Sequence, residues 1–166
     1  MLSVIIAVVV VLLDQLSKFV VVKNLKPLGS TTLIDGILKF TYVENKGAAF
    51  GILSENRFVF MIASILLIAL LGYVVYKYHG QSKVFDISLG LILGGGIGNM
   101  IDRIVYGYVI DFVDFCAFDF WKYVFNIADS AVVVGCIFAI LFLLLDKNAK
   151  VFCETDSNSN EDNADE

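Results

Sequence analysis

Within LGGGIGNMIDR, residues 93–103, an amide, a carboxylate and a guanidinium follow one another inside about one helical turn: Asn99, Asp102 and Arg103. Upstream, Asp14 and Lys18 stand four residues apart, and a second amide, Asn45, opens the stretch NKGAAF. Downstream lie Asp111 in VIDFVDF, and Asn126 and Asp129 in FNIAD. Asp111, Asp114 and Asp129 have no base beside them. Two carboxylates that approach closely cannot both ionise, so one proton is shared across the pair. Such a pair can take a proton from water with one member and hydrogen-bond a carbonyl with the other, which is how an aspartic protease works. Each acid also has a plainer reading. Asp129 begins an apolar helix, where the dipole favours a negative charge. Asp111 reads equally as a carboxylate in an interfacial loop, and Asp114 reads as a solvated one. No Ser/His pair competes for the chemistry, and the single histidine, His79, reads as a loop residue.

The elements that must carry these groups are membrane helices. Hydrophobic residues make up 58% of the 166 and charged residues 17%, against roughly a quarter charged in soluble domains. A span needs about 20 mostly apolar residues. Phe58–Tyr76 has no charge, Ser130–Leu145 is apolar towards Tyr123 if Asp129 is accepted, and Phe85–Ile101 stops at Asp102. The run Met1–Leu13 is short alone and reaches Val22 only by accepting Asp14 and Lys18. It lacks the basic start and the small-residue cleavage pattern of a secretory signal, so it reads as a retained span. The reading is a membrane all-α fold of four helices. Residues 1–150 form one domain, and 151–166 form a disordered acidic tail without core-forming residues. That stretch holds so many of the acids that the net charge of −5 says little about partners.

Two segments join the spans on one side. In Lys23–Arg57, Asp35-Gly36 signals a turn and Ile37–Val43 alternates, which predicts a small β element. Ile104–Lys122 is rich in aromatics (Tyr106, Tyr108, Phe112, Phe115, Phe118, Phe120, Trp121), as residues at a water–lipid boundary often are. With four spans, connectivity alone collects the intramembrane ionisable residues at one membrane face. The opposite face has only the link KYHGQSK and the chain's two ends. Gly90, Gly94 and Gly98 recur every fourth residue, a close-packing signature. Cys116, Cys136 and Cys153 have neither metal nor redox spacing.

In order, the blocks DQLSK (14–18), NKGAAF (45–50), GGGIGNMIDR (94–103), IDF (110–112) and FNIAD (125–129) resemble those of the lipoprotein signal peptidases, the signal peptidase II family. Ser17 stands where that family usually has Thr, and Gly96-Ile97 where it usually has Ala-Leu. The resemblance implies an aspartyl endopeptidase that removes signal peptides from bacterial prolipoproteins, cutting before the diacylglyceryl-modified cysteine. It implies Asp111 and Asp129 as the catalytic pair. It also implies Asp14, Lys18, Asn45, Asn99, Asp102, Arg103 and Asn126 as supporting residues, and Gly47, Ala48 and Phe50 in the loop near substrate. Asp14, Lys18, Asp102 and Arg103 can neutralise one another, while the three asparagines add hydrogen bonds without charge. Implied partners are lipid-modified precursors and bilayer lipid, with no nucleic acid, metal or other cofactor. The implied setting is the bacterial cytoplasmic membrane, with the site at its outer face and the termini cytoplasmic. The positive-inside rule leans the other way: Lys77, Lys83, Lys147 and Lys150 would be inside, and Lys23, Lys26, Lys39, Lys46, Arg57 and Lys122 outside. Two other classes stay in view: a proton-coupled transporter, whose acids should run through the bilayer as a relay, and a structural subunit whose polar cluster only locks the bundle.

Overall fold

A computed structural model describes residues 1–47, 57–117 and 123–145. Ala48, Phe50, Phe118, Phe120, Trp121, Cys153 and the acidic stretch 151–166 lie outside the described residues. Four long apolar helices are present: α1 (Leu2–Asn24), α2 (Arg57–Tyr78), α3 (Lys83–Val105) and α4 (Ile127–Leu145). At 1.5 Å per residue, the 23 residues of α1 cover about 34 Å, enough for a bilayer core of about 30 Å. A helix satisfies its own backbone groups, which is why this β-branched stretch is helical where no water can replace them. The helix ends just before Pro27, which cannot continue one.

α3 is the central helix, packed on α1, α2 and α4. Its glycines make that possible. A Cβ built on Gly94 would lie 2.8 Å from Ala7 O, and one on Gly98 would lie 2.7 Å from Asp14 Oδ2. The repeat read as close packing is therefore the α1–α3 seam. At the end away from the sheet, Phe85 and Phe142 stack at 4.9 Å beside Val75 and Leu89. There Asp86 accepts from Ser3 Oγ (3.1 Å) and Gly80 N (3.2 Å), tying the α2–α3 link to α1.

The connecting segments build one antiparallel sheet in chain order: β1 (Ser30–Ile34), β2 (Leu38–Asn45), β3 (Val109–Phe115) and β4 (Val124–Phe125). Asp35-Gly36 does turn β1 into β2, with Gly36 at φ +70°. Sequence alternation found β2 but not β3. VIDFVDF, read as an aromatic boundary segment, is a strand paired along β2 from Leu38↔Phe115 to Asn45↔Val109. Asp111 and Asp114 are accordingly strand residues. Asp114 is not solvated in a loop, because it accepts from Thr41 Oγ1 at 2.7 Å. Period-2 patterning is hidden in β3 because it is buried from Val109 to Phe112, and a strand covered on both faces reads as a continuous apolar run. α4 starts at Ile127 rather than near Tyr123, because β4 occupies the preceding residues.

If the seam is as tight as this, Gly94→Ala destabilises the protein by about 1–3 kcal/mol. Gly72→Ala, where a new Cβ meets nothing within 4 Å, is neutral or stabilising by up to about 1 kcal/mol. Thermal unfolding of the two variants in one detergent checks the order; equal melting points would contradict it.

Candidate active site

The site is organised around a buried cation. Lys18, 2% exposed, directs its ammonium to Asp14 Oδ2 (2.8 Å), Asp102 Oδ2 (2.8 Å) and Asn99 Oδ1 (3.0 Å). An ammonium has three N–H donors and no acceptor, so the three partners match its capacity. Asp14 and Asp102 are fully buried, and their remaining oxygens are also engaged. Asp14 Oδ1 accepts from Ala128 N (3.0 Å) and Asp102 Oδ1 from Gln15 Nε2 (3.0 Å), while Asp102 Oδ2 also accepts from Ile110 N (3.0 Å). The i,i+4 spacing of Asp14 and Lys18 is thus a real ion pair. Arg103, grouped with them on sequence grounds, donates from Nη1 to Asn99 O (3.3 Å).

Asn99 passes this order onward. Its Oδ1 must face Lys18, since an ammonium cannot accept. Its Nδ2 is therefore left to donate, and it does so to Asp129 Oδ1 at 2.7 Å. Asn126 caps α4: its Oδ1 accepts from Asp129 N (2.8 Å), while Asp129 Oδ2 accepts from Asn126 N (3.2 Å). This is a reciprocal capping box written with Asn and Asp in place of Ser/Thr and Glu. It accounts for the spacing in FNIAD, and together with Asn99 it holds the Asp129 carboxylate at both oxygens.

Asp111 reaches the same place from the sheet. Its Oδ1 accepts from Asn126 Nδ2 (2.7 Å) and its Oδ2 from Asn45 Nδ2 (2.9 Å). The register shifts between Phe40 and Val43, immediately beside the Val43↔Asp111 pair. Bulges of this kind re-aim side chains next to active sites. Burial pushes the Asp111 carboxyl up to about 6, opposed by the Asn45 hydrogen bond and reinforced by the charge of Asp129.

Asp111 and Asp129 line one cavity of about 450 Å³, with Asn45, Gly47, Asn99 and Arg103. Its other walls are mostly apolar, with Leu67, Ile68 and Leu71 of α2, Ile92 of α3, and Val132 and Val133 of α4, completed by Ser64 and by Tyr123–Phe125. A larger groove of about 580 Å³ between α1 and the sheet holds no titratable side chain. The expected site residues that are described meet here, directly or through one or two polar contacts, Asp14 and Asp102 by way of Lys18 and Asn99. His79 does not; it follows α2 at the other end, with Nδ1 2.8 Å from Tyr76 O. Three members were not anticipated: Gln15 and the backbone N–H groups of Ile110 and Ala128. Only Gln15 had a sequence signal, a long amide directly after Asp14 in DQLSK.

The family model described as signal peptidase (SPase) II matches residues 6–145. A lipoprotein signal peptidase of Halothermothrix orenii is 44% identical over 139 residues, covering 84% of this chain and 92% of that one. One from Syntrophomonas wolfei is 44% identical over 138 residues, covering 82% and 89%. Two solved structures of bacterial membrane enzymes, obtained in meso at 2.3 and 1.9 Å, each superpose with a TM-score of 0.78. They are 34% and 37% identical and cover 93% and 87% of this chain, and 92% and 93% of their own. With four helices long and apolar enough to cross a bilayer, the chain is a multi-pass bacterial membrane protein that belongs to the signal peptidase II family, proteases of lipoprotein processing.

Proposed function

We propose that the protein is an aspartyl endopeptidase that cleaves bacterial prolipoproteins just before their diacylglyceryl-modified cysteine, with Asp111 and Asp129 as the catalytic pair. The observation that carries this reading is that two carboxylates from different elements line one cavity, each held at both oxygens by amide or backbone donors. The pair shares one proton. The ionised member takes a proton from water as the water oxygen bonds to the scissile carbonyl carbon. The protonated member gives its proton to the carbonyl oxygen. Collapse of the tetrahedral intermediate returns a proton to the leaving nitrogen, breaks the C–N bond and restores one proton to the pair. Arg103, on the cavity wall, adds fixed positive charge where negative charge develops. The asparagines orient the carboxylates without adding charge of their own.

The apolar walls between α2 and α4 suit a signal peptide that is itself a membrane helix. The polar end suits a scissile bond at the bilayer boundary, where the lipid on the cysteine keeps its chains in the membrane and water can enter. Residues 1–150 act as one peptidase domain, and Gly47, on the cavity wall, lies near substrate. The site faces the outer side of the cytoplasmic membrane, with the termini inside. The partners are lipid-modified precursors and bilayer lipid, not nucleic acid, and no cofactor takes part.

Asp111→Asn and Asp129→Asn are each expected to lower cleavage of a diacylglyceryl-modified peptide by purified protein about 10³-fold or more, while the protein still folds and inserts. Parent-like cleavage by both variants would end the reading. A second expectation concerns stability. The Asp111 pKa is about 6 in the fold and about 3.9 in an unfolded chain. The fold therefore favours the protonated form, and the stability this contributes is present below about pH 4 and lost as pH rises through about 6. The loss is on the order of 1–3 kcal/mol, and Asp111→Asn escapes it. Melting points of parent and variant should therefore shift in the variant's favour between pH 4 and 7, and a pH-independent difference would refute the linkage.

A further inference from the structure

Gln15 is the one polar side chain of the buried network to which no role has been given. Its Nε2 donates to Asp102 Oδ1 (3.0 Å), and lies 3.2 Å from both Asp14 Oδ2 and Gly98 O. The two acids it joins have a further property in common. Asp14 Oδ1 holds the N–H of Ala128, the residue before Asp129. Asp102 Oδ2 holds the N–H of Ile110, the residue before Asp111. Each acid thus grips the backbone one residue ahead of one catalytic carboxylate, on α4 and β3 respectively. Ala128 is fully buried and Ile110 is 1% exposed, so neither grip can be replaced by water. Asp14 and Asp102 carry like charges with one ammonium between them, and left alone two such acids repel. Lys18 draws them together from one side, and the Gln15 amide bridges them as a neutral donor.

We propose that Gln15 is a positioning residue for the reaction: by bridging Asp14 and Asp102, it sets the separation of the two backbone segments that present Asp111 and Asp129. The proposal rests on those two acids being the catalytic pair. Without the bridge the acids relax apart, Lys18 moves with them, and Asn99 loses the contact that orients its amide towards Asp129. A misplacement of about 1 Å in such a frame costs about 10²-fold in rate, and loss of an outer hydrogen-bond partner at a functional centre typically costs 10–100-fold.

The test uses the full chain purified in detergent, a diacylglyceryl-modified peptide, and three variants assayed across pH. Gln15→Met keeps volume and removes the donor. It is expected to lower kcat about 10–100-fold with KM within about twofold, and to move the acidic limb of the kcat/KM profile to higher pH, because the pair has lost a donor to its charged form. Gln15→Glu adds a third carboxylate when ionised but can donate when protonated, so its activity relative to the parent should recover as pH falls. Asp111→Asn serves as the control. The proposal is overturned if Gln15→Met keeps the parent's kcat and pH profile and differs only in melting point, or if the ratio of Gln15→Glu to parent is flat with pH. The second criterion decides alone should Gln15→Met fail to fold. An active Asp111→Asn would instead overturn the catalytic pair, which separates the two failures.

Discussion

An ammonium enclosed between two carboxylates at the edge of a bilayer has no water to fall back on. Removing one partner of a buried ion pair typically costs 3–5 kcal/mol, because a charge is left uncompensated. Lys18, Asp14 and Asp102 meet that condition by complete satisfaction: three donors find three acceptors, and the acids' other lone pairs find backbone and amide N–H groups. Among the described residues no buried side-chain nitrogen or oxygen lacks a partner. Since these partners come from α1, α3, α4 and β3, the same cluster that neutralises the charge also sets where the helices and the sheet meet.

The placement of the proposed catalytic pair is tied to that cluster. Asp129 is an N-terminal residue of a helix whose cap is reciprocal, and Asp111 stands in a strand paired along its length. Sites on regular elements are more exact than sites on loops. The glycines of α3 complete the arrangement, because only a missing side chain lets the α1 and α3 backbones come close enough for Lys18 to touch Asn99 and Asp102 on the neighbouring helix. Burial and the charge of Asp129 both push the Asp111 carboxyl up, so this cavity is a place where the fold works against full ionisation.

Much of this was readable in the order of residues. Four long apolar runs and the clustering of most ionisable residues at one end follow from hydropathy and connectivity; Asp86 departs from that expectation, buried in α3 at the opposite end where Ser3 Oγ and Gly80 N satisfy it. The turn at Asp35-Gly36 and strand β2 follow from alternation. β3 was not readable, because a strand buried on both faces loses its alternation and its aromatics resemble a boundary segment. Asp114 was misread for the same reason. Gln15 stood in a quoted motif, yet nothing in its type or spacing could say that it touches two acids, one of them 87 residues away.

Sequence by itself determined the inventory: the helices, the polar cluster at the sheet end, the turn at Asp35-Gly36 and the local pair Asp14–Lys18. All of these depend on period, spacing or composition within a few residues. Only the tertiary structure decided the pairing, namely that Asp102 joins Lys18 while Arg103 turns to Asn99 O, and that two acids from a strand and a helix line one cavity. Those outcomes depend on which helix faces approach and how closely. Helix approach is a property of packed surfaces and small residues across the bundle, and no local pattern in the chain encodes it.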